Sequence, residues 1–175
     1  QLADAANYSV TVGNIISSVT SSPATLKVGS PVVITTPPSN VSVNAGQSAT
    51  LSVVVTGTSP ITYQWRKNGN IILGANLSTY TIPEAAASDA GSYTVTAANN
   101  VNEVTSEPAT VTVNTLPVIT TQPVSRTIAA GTALTLTVTA TGVPPPTYQW
   151  KKDNAAIANA TNATYTVDSP NSTHA

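Results

Sequence analysis

The stretch Asp89-Ala-Gly-Ser-Tyr-Thr-Val95 alternates apolar and polar side chains after a turn, and it recurs 85 residues earlier as Asp4-Ala-Ala-Asn-Tyr-Ser-Val10. Moving outward, Ser106-Glu-Pro-Ala-Thr-Val-Thr-Val113 repeats Ser21-Ser-Pro-Ala-Thr-Leu-Lys-Val28 at the same offset. Thr62-Tyr-Gln-Trp-Arg-Lys67 returns as Thr147-Tyr-Gln-Trp-Lys-Lys152, Ile34-Thr-Thr-Pro-Pro38 returns as Ile119-Thr-Thr-Gln-Pro123, and Tyr80 pairs with Tyr165. A gapless period of 85 residues therefore runs through the chain, and such a period is one supersecondary unit repeated.

Within one period the apolar residues recur every second position, which is the signature of half-buried strands. Leu51, Val53 and Val55 share one face; Tyr63 and Trp65 share another; Tyr93, Val95 and Ala97 alternate, as do Val111 and Val113. Turn residues separate them at Ala45-Gly46, Gly57-Thr-Ser-Pro60, Asn68-Gly69 and Asp89-Ala-Gly91. About seven short strands in such a period predict an all-β sandwich with no helical stretch.

The set Leu51-x-Val53-x-Val55, Trp65 and Asp89-x-Gly91-x-Tyr93-x-Val95 resembles the immunoglobulin superfamily, and within it the intermediate set. The resemblance implies tandem Greek-key sandwiches with strands A to G. In that family two cysteines bridge the sheets where this chain has Val53 and Val95, so the chain is similar to the cysteine-free immunoglobulin-like repeats of large bacterial surface proteins. Val53, Trp65, Tyr93 and Val95 are the expected core, burial of each large side chain contributing about 1.5–3 kcal/mol. The absent cross-link forgoes typically about 2–4 kcal/mol.

Phase decides the domain organisation. Residues 29–114 form a complete repeat, residues 1–28 supply only strands F and G of another, and residues 115–175 supply strands A to E of a third. Both ends of the chain fall at the same E–F corner. Strand F lies between C and G, so a repeat without it has a bare strand C beside an open core, an association site. Two organisations are open: a subunit whose F–G strands complete strands A–E of the next in a head-to-tail homopolymer, or a window on a longer covalent array of adjacent repeats. Strands of 7–8 residues put the two fragments roughly 25 Å or more apart, which disfavours closure within one chain. On the first organisation Tyr8, Val10, Val12, Leu26 and Val28 are the donor residues, and Leu136, Val138, Tyr148, Trp150 and Tyr165 the acceptor.

Composition excludes more than it identifies. Only 7% of residues are charged and the net charge is −1, against roughly 25% charged residues in ordinary domains. Nucleic acid is therefore not an expected partner, and no stretch approaches the roughly 18 consecutive apolar residues that span a bilayer. Without cysteine there is no disulfide, thiolate metal site or Cys nucleophile. The single histidine, His174, aligns with Asp89 in a loop, and a Ser-His-Asp site needs a held imidazole. Asp4 and Asp89 are expected to cap the E–F corner, and no calcium loop or phosphate loop occurs. No enzyme activity and no cofactor or metal is expected. Lys27, Lys67, Lys151 and Lys152 are the available partners for a Lys–Asn cross-link of the kind found in bacterial fibre domains. Asn7, Asn40, Asn76, Asn159, Asn162 and Asn171 stand in glycosylation sequons.

These features predict a structural subunit of an extracellular filament or surface fibre, of prokaryotic type. An adhesive or carbohydrate-binding repeat within a longer surface protein is the alternative, and spacers in a large secreted enzyme are a third.

Overall fold

A computed structural model describes residues 4–168. They fall into two compact units: one takes the chain as far as Val41 with most of the middle repeat, the other takes the third repeat with the short stretches Ser42–Gln47 and Glu84–Asp89.

In the first unit two sheets face each other. Strand A (Val33–Thr36) pairs with Val54–Thr56, the second half of strand B, and the first half (Ala49–Ser52) pairs with strand E (Thr79–Ile82). The other sheet orders strand C′ (Asn70–Ile71), strand C (Thr62–Lys67) and strand F (Gly91–Ala98), then strand G. Strand G comes in two pieces, Glu103–Thr105 and the opening of Ala109–Thr121, on either side of Ser106. The break leaves no backbone group of Val95 unpaired: Ser106 N donates to Val95 O at 2.9 Å, and Val95 N donates to Ser106 Oγ at 3.1 Å. Ser106 is buried, and buried polar groups are stable only when satisfied in this way.

Alternation along strand F places Tyr93, Val95 and Ala97 inward. Val95 lies directly across from Trp65 in the ladder and both are fully buried. Leu51 and Val53 meet them from the facing sheet, and Val111 and Val113 from strand G. The Trp65 indole N–H donates to Leu77 O at 2.9 Å, so the one polar atom of a large ring is paired inside the core. Valines thus occupy both positions where the family resemblance implies cysteines. Gly57 seals one end of the sandwich: its φ is +147°, and a Cβ there would stand 2.9 Å from Pro31 O and 3.0 Å from Val32 Cα. Gly57→Ala is expected to destabilise this unit by about 1–3 kcal/mol, the scale of a strained backbone position, read as a lower urea midpoint.

The expected capping at the E–F corner is seen at Asp89, whose Oδ2 accepts the Ala86 N–H at 2.9 Å. It bends Ala87–Asp89 into one short 3-10 turn, where the strand pattern alone predicts no helical backbone.

Residues 6–26 form a hairpin that repeats the F–G pair of the middle repeat in register. Ala6–Tyr8 pairs with Ala24–Leu26, with Tyr8 opposite Ala24 as Tyr93 is opposite Ala109. Thr11–Gly13 pairs with Ser18–Thr20, with Val12 opposite Val19 as Ala97 is opposite Val104. The Tyr8 hydroxyl donates to Asp4 O at 2.8 Å, the tyrosine-corner bond of this fold. The Ser21 hydroxyl accepts the Val10 N–H at 3.1 Å, as Ser106 does for Val95.

In the second unit, strand B (Leu134–Thr137, then Thr139–Val143) pairs with strand E (Thr164–Val167) and with the later residues of Ala109–Thr121. Strand C is the departure. Where the middle repeat has a six-residue strand, Thr62–Lys67, the third repeat keeps only Lys151–Lys152, paired with Ala155–Ala156. Residues 126–129, counterparts of the strand Val41–Asn44, form no strand. Among the described residues neither segment has the neighbour that pairs with it in the middle repeat, F for one and G for the other.

Four strand pairs carry cross-strand hydroxyl pairs on their solvent faces: Thr11 with Thr20 at 2.7 Å, Thr50 with Thr81 at 3.0 Å, Thr96 with Thr105 at 2.8 Å and Thr135 with Thr166 at 3.1 Å.

Candidate functional site: an exposed hairpin and an open groove

Residues that are chemically equivalent by the 85-residue period differ sharply in exposure, and the difference locates the site. Tyr93, Val95 and Ala97 are at most 1% exposed, whereas their counterparts Tyr8, Val10 and Val12 are 52%, 59% and 63% exposed. Val111 is buried and its counterpart Leu26 is 45% exposed. Val28, counterpart of the buried Val113, is partly exposed. The hairpin therefore holds its apolar row in native order, exposed among the described residues, a contiguous patch of the kind that marks an interaction surface.

The third repeat shows the converse. An open groove of about 460 Å³ runs over its C strand, lined by Ile119, Pro123, Val138, Ala140, Tyr148 and Trp150 among others. Val138 is 9% exposed, at the edge of burial, and Leu136, Tyr148, Trp150 and Tyr165 are all partly exposed. Trp150 is nevertheless held as Trp65 is: its indole N–H donates to Asn162 O at 2.9 Å, the counterpart of the Trp65 bond to Leu77 O. Gln149 Nε2 donates to Ile157 O at 2.8 Å, as Gln64 does to Ile72 at 2.9 Å. The groove is thus a preformed half-core. The aromatic ladder shows what is missing from it. In the middle repeat Trp65, Tyr80 and Tyr93 follow one another at 6.2 and 6.0 Å. In the third, Trp150 and Tyr165 stand 6.0 Å apart, and among the described residues no third ring continues the series.

Of the acceptor residues read from the sequence, Val138, Tyr148 and Trp150 line the groove, while Tyr165 stands 6.0 Å from Trp150 and Leu136 pairs with Tyr165 in the strand ladder. Of the donor residues, Tyr8, Val10, Val12 and Leu26 lie exposed on the hairpin, with Val28 just beyond it. The groove residues Ile119, Pro123 and Ala140 were not singled out from the sequence. Their signal was available in the apolar alternation of strands A and B.

Other candidate positions carry less. Asn7 and Asn40 have exposed side chains whose Oδ1 atoms accept from Thr25 Oγ1 at 2.6 Å and from Thr110 N at 2.7 Å. Asn76, Asn159 and Asn162 are exposed, Asn159 with a φ of 60°. Asn171 and His174 lie outside the described residues. None of Lys27, Lys67, Lys151 and Lys152 is buried, and Lys67 Nζ lies 5.9 Å from the centre of the Tyr93 ring. Among the described residues no three His, Asp or Glu side chains come together as a metal site, and no helix is long and apolar enough to cross a membrane.

A family model described as an immunoglobulin domain matches residues 31–99 and 117–175. Over 81 residues the chain is 44% identical to the decoration protein of Escherichia phage T5, covering 46% of this chain and 49% of that protein. Over 128 residues it is 36% identical to hemicentin-2 of Mus musculus, covering 67% of this chain and 2% of that protein. Among solved structures, immunoglobulin domains 1–4 of Sidekick-1 align with a TM-score of 0.59 at 23% identity, over 98% of this chain and 52% of that one. This chain therefore spans about half the length of the phage relative and a few per cent of the hemicentin.

Proposed function

This chain belongs to the immunoglobulin-domain family, and from that membership we propose that it is a structural surface module which assembles head to tail, strands F and G of one copy completing strands A to E of the next. The observation that carries the reading is the pairing of two unfinished surfaces. The hairpin of residues 6–26 exposes the side chains a complete repeat buries, in the register a complete repeat uses. The groove over Tyr148 and Trp150 lacks that same pair of strands. Such a contact joins two different patches, so it propagates into a filament instead of closing as a dimer. Similarity to a phage decoration protein supports an outward-facing, non-catalytic role.

The middle repeat gives the register of the joint. Tyr93, Val95 and Ala97 lie across from Lys67, Trp65 and Tyr63, so Tyr8, Val10 and Val12 come to lie across from Lys152, Trp150 and Tyr148. The two tryptophans make this measurable. Trp65 is sealed whether or not copies associate, while Trp150 is shielded only in the joint. Acrylamide quenching of tryptophan emission is expected to fall as the chain is concentrated, alongside a rise in sedimentation coefficient. A chain that stays monomeric, with Trp150 accessible at every concentration, would overturn head-to-tail assembly.

The second reading, an adhesive or carbohydrate-binding repeat in a longer covalent surface protein, is favoured by the long relatives of which this chain covers only 2–3%. There the neighbouring repeat fills the groove, and the protein isolated from its source has a mass far above 17.7 kDa.

A further inference from the structure

In the middle repeat the loop at the tip of strands F and G is clamped onto the start of the same repeat by side-chain amides. Asn99 Nδ2 donates to Ser30 O at 2.9 Å and to Thr58 O at 3.0 Å. Asn102 makes a two-way bond with Val32: its Oδ1 accepts the Val32 N–H at 2.6 Å, and its Nδ2 donates to Val32 O at 3.1 Å. Val101 closes over Gly29, its Cγ2 only 2.9 Å from where a Cβ would stand, with Thr58 beside it.

At the split repeat, both sides of this clamp have changed together. Val32 corresponds to Pro117, which has no N–H to give. Asn102 corresponds to Ser17, whose hydroxyl does not leave an amide oxygen waiting for that N–H. Gly29 corresponds to Asn114, Thr58 to Val143 and Val101 to Ile16. A Cβ at the Gly29 position would stand 2.9 Å from Val101 Cγ2, so Ile16 must turn from that position towards Val143, and these two apolar residues are 85% and 41% exposed. Asn99 corresponds to Asn14, which is kept. Asn14 Oδ1 accepts the N–H groups of Ile16 at 2.8 Å and Ser17 at 3.0 Å, as Asn99 Oδ1 does for Val101 at 2.9 Å and Asn102 at 3.1 Å. Its Nδ2 takes no partner among the described residues, while the equivalent nitrogen of Asn99 takes two carbonyls.

Resting on the head-to-tail reading above, we propose that the occupant of the groove is the hairpin of a second copy of this chain. Its tip, Asn14–Ser17, selects it by docking on Thr115, Pro117 and Val143. Asn14 supplies the donor to the Thr115 and Val143 carbonyls, Ile16 packs on Val143, and Ser17 stands opposite Pro117. An F–G tip of the middle-repeat kind is rejected, because its second asparagine would bury an amide oxygen against Pro117 with no donor, and an unsatisfied buried acceptor is costly.

The test exchanges the two sides of the clamp in the full chain and reads self-association by sedimentation velocity. Ser17→Asn is expected to weaken association about tenfold, and mixing Ser17→Asn chains with Pro117→Val chains is expected to restore it to within about threefold. Amide protection of the middle repeat serves as the control that each variant is folded. Ser17→Asn chains that associate like the parent, or a mixture that gains nothing from Pro117→Val, would overturn the selection by the tip while head-to-tail assembly stands. A parent chain that never associates overturns both.

Discussion

Alanine in place of Trp65 is expected to destabilise the middle repeat by about 3–5 kcal/mol, the range for emptying a large aromatic site in a closed core, while the same change at Trp150 leaves that repeat untouched. The two residues follow the same Tyr-Gln pair in sequence, make the same kind of indole bond to a carbonyl and have a tyrosine about 6 Å away. They differ in one respect. Trp65 is paired with Val95 on strand F and is fully buried, and among the described residues no strand pairs with Trp150. Since a whole domain is stable by only about 5–15 kcal/mol, the Trp65→Ala middle repeat should be close to unfolding at room temperature. Urea titration followed by circular dichroism and amide exchange separates the two repeats. Equal losses at the two positions would mean that the third repeat is as closed as the middle one.

A carboxylate introduced at the two equivalent valines should give opposite outcomes. Val95→Asp buries an unpaired charge beside Trp65 and should prevent the middle repeat from folding. Val10→Asp places the same group on a hairpin face that is 59% exposed, where water solvates it, so the isolated chain keeps its fold. Its effect appears on assembly, where the carboxylate must be dehydrated opposite Trp150. A penalty of about 3–5 kcal/mol for an uncompensated buried charge corresponds to a loss of more than about a hundredfold in affinity. Sedimentation velocity and negative-stain microscopy give the readout. Filaments or oligomers unchanged by Val10→Asp would show that the hairpin face is not the joint.

Much of this was legible in the residues. The period, the alternation around Trp65 and Val95, and the phase of the repeats give the sandwich and its buried core, because each depends on local pattern. Two features were not. Strand C of the third repeat shrinks to Lys151–Lys152 although Thr147–Lys152 has almost the same residues as Thr62–Lys67. Its extended form in the middle repeat is imposed by pairing with strand F, a tertiary effect that no local propensity encodes. The exchange of Asn102 and Val32 for Ser17 and Pro117 is plain in the aligned residues, but it has meaning only once the middle repeat shows those two side by side.

The threonine hydroxyls paired across four strand pairs have a consequence for where such a protein can work. Most surfaces stay soluble through fixed charges, whose mutual repulsion weakens as counterions shorten the Debye length from about 10 Å at 0.1 M to about 3 Å at 1 M. Here the hydration comes chiefly from uncharged donors and acceptors, with only 7% of residues charged. Counterions find little to screen, so dilution into fresh water or transfer into brine is expected to change the charge interactions of the folded repeats very little.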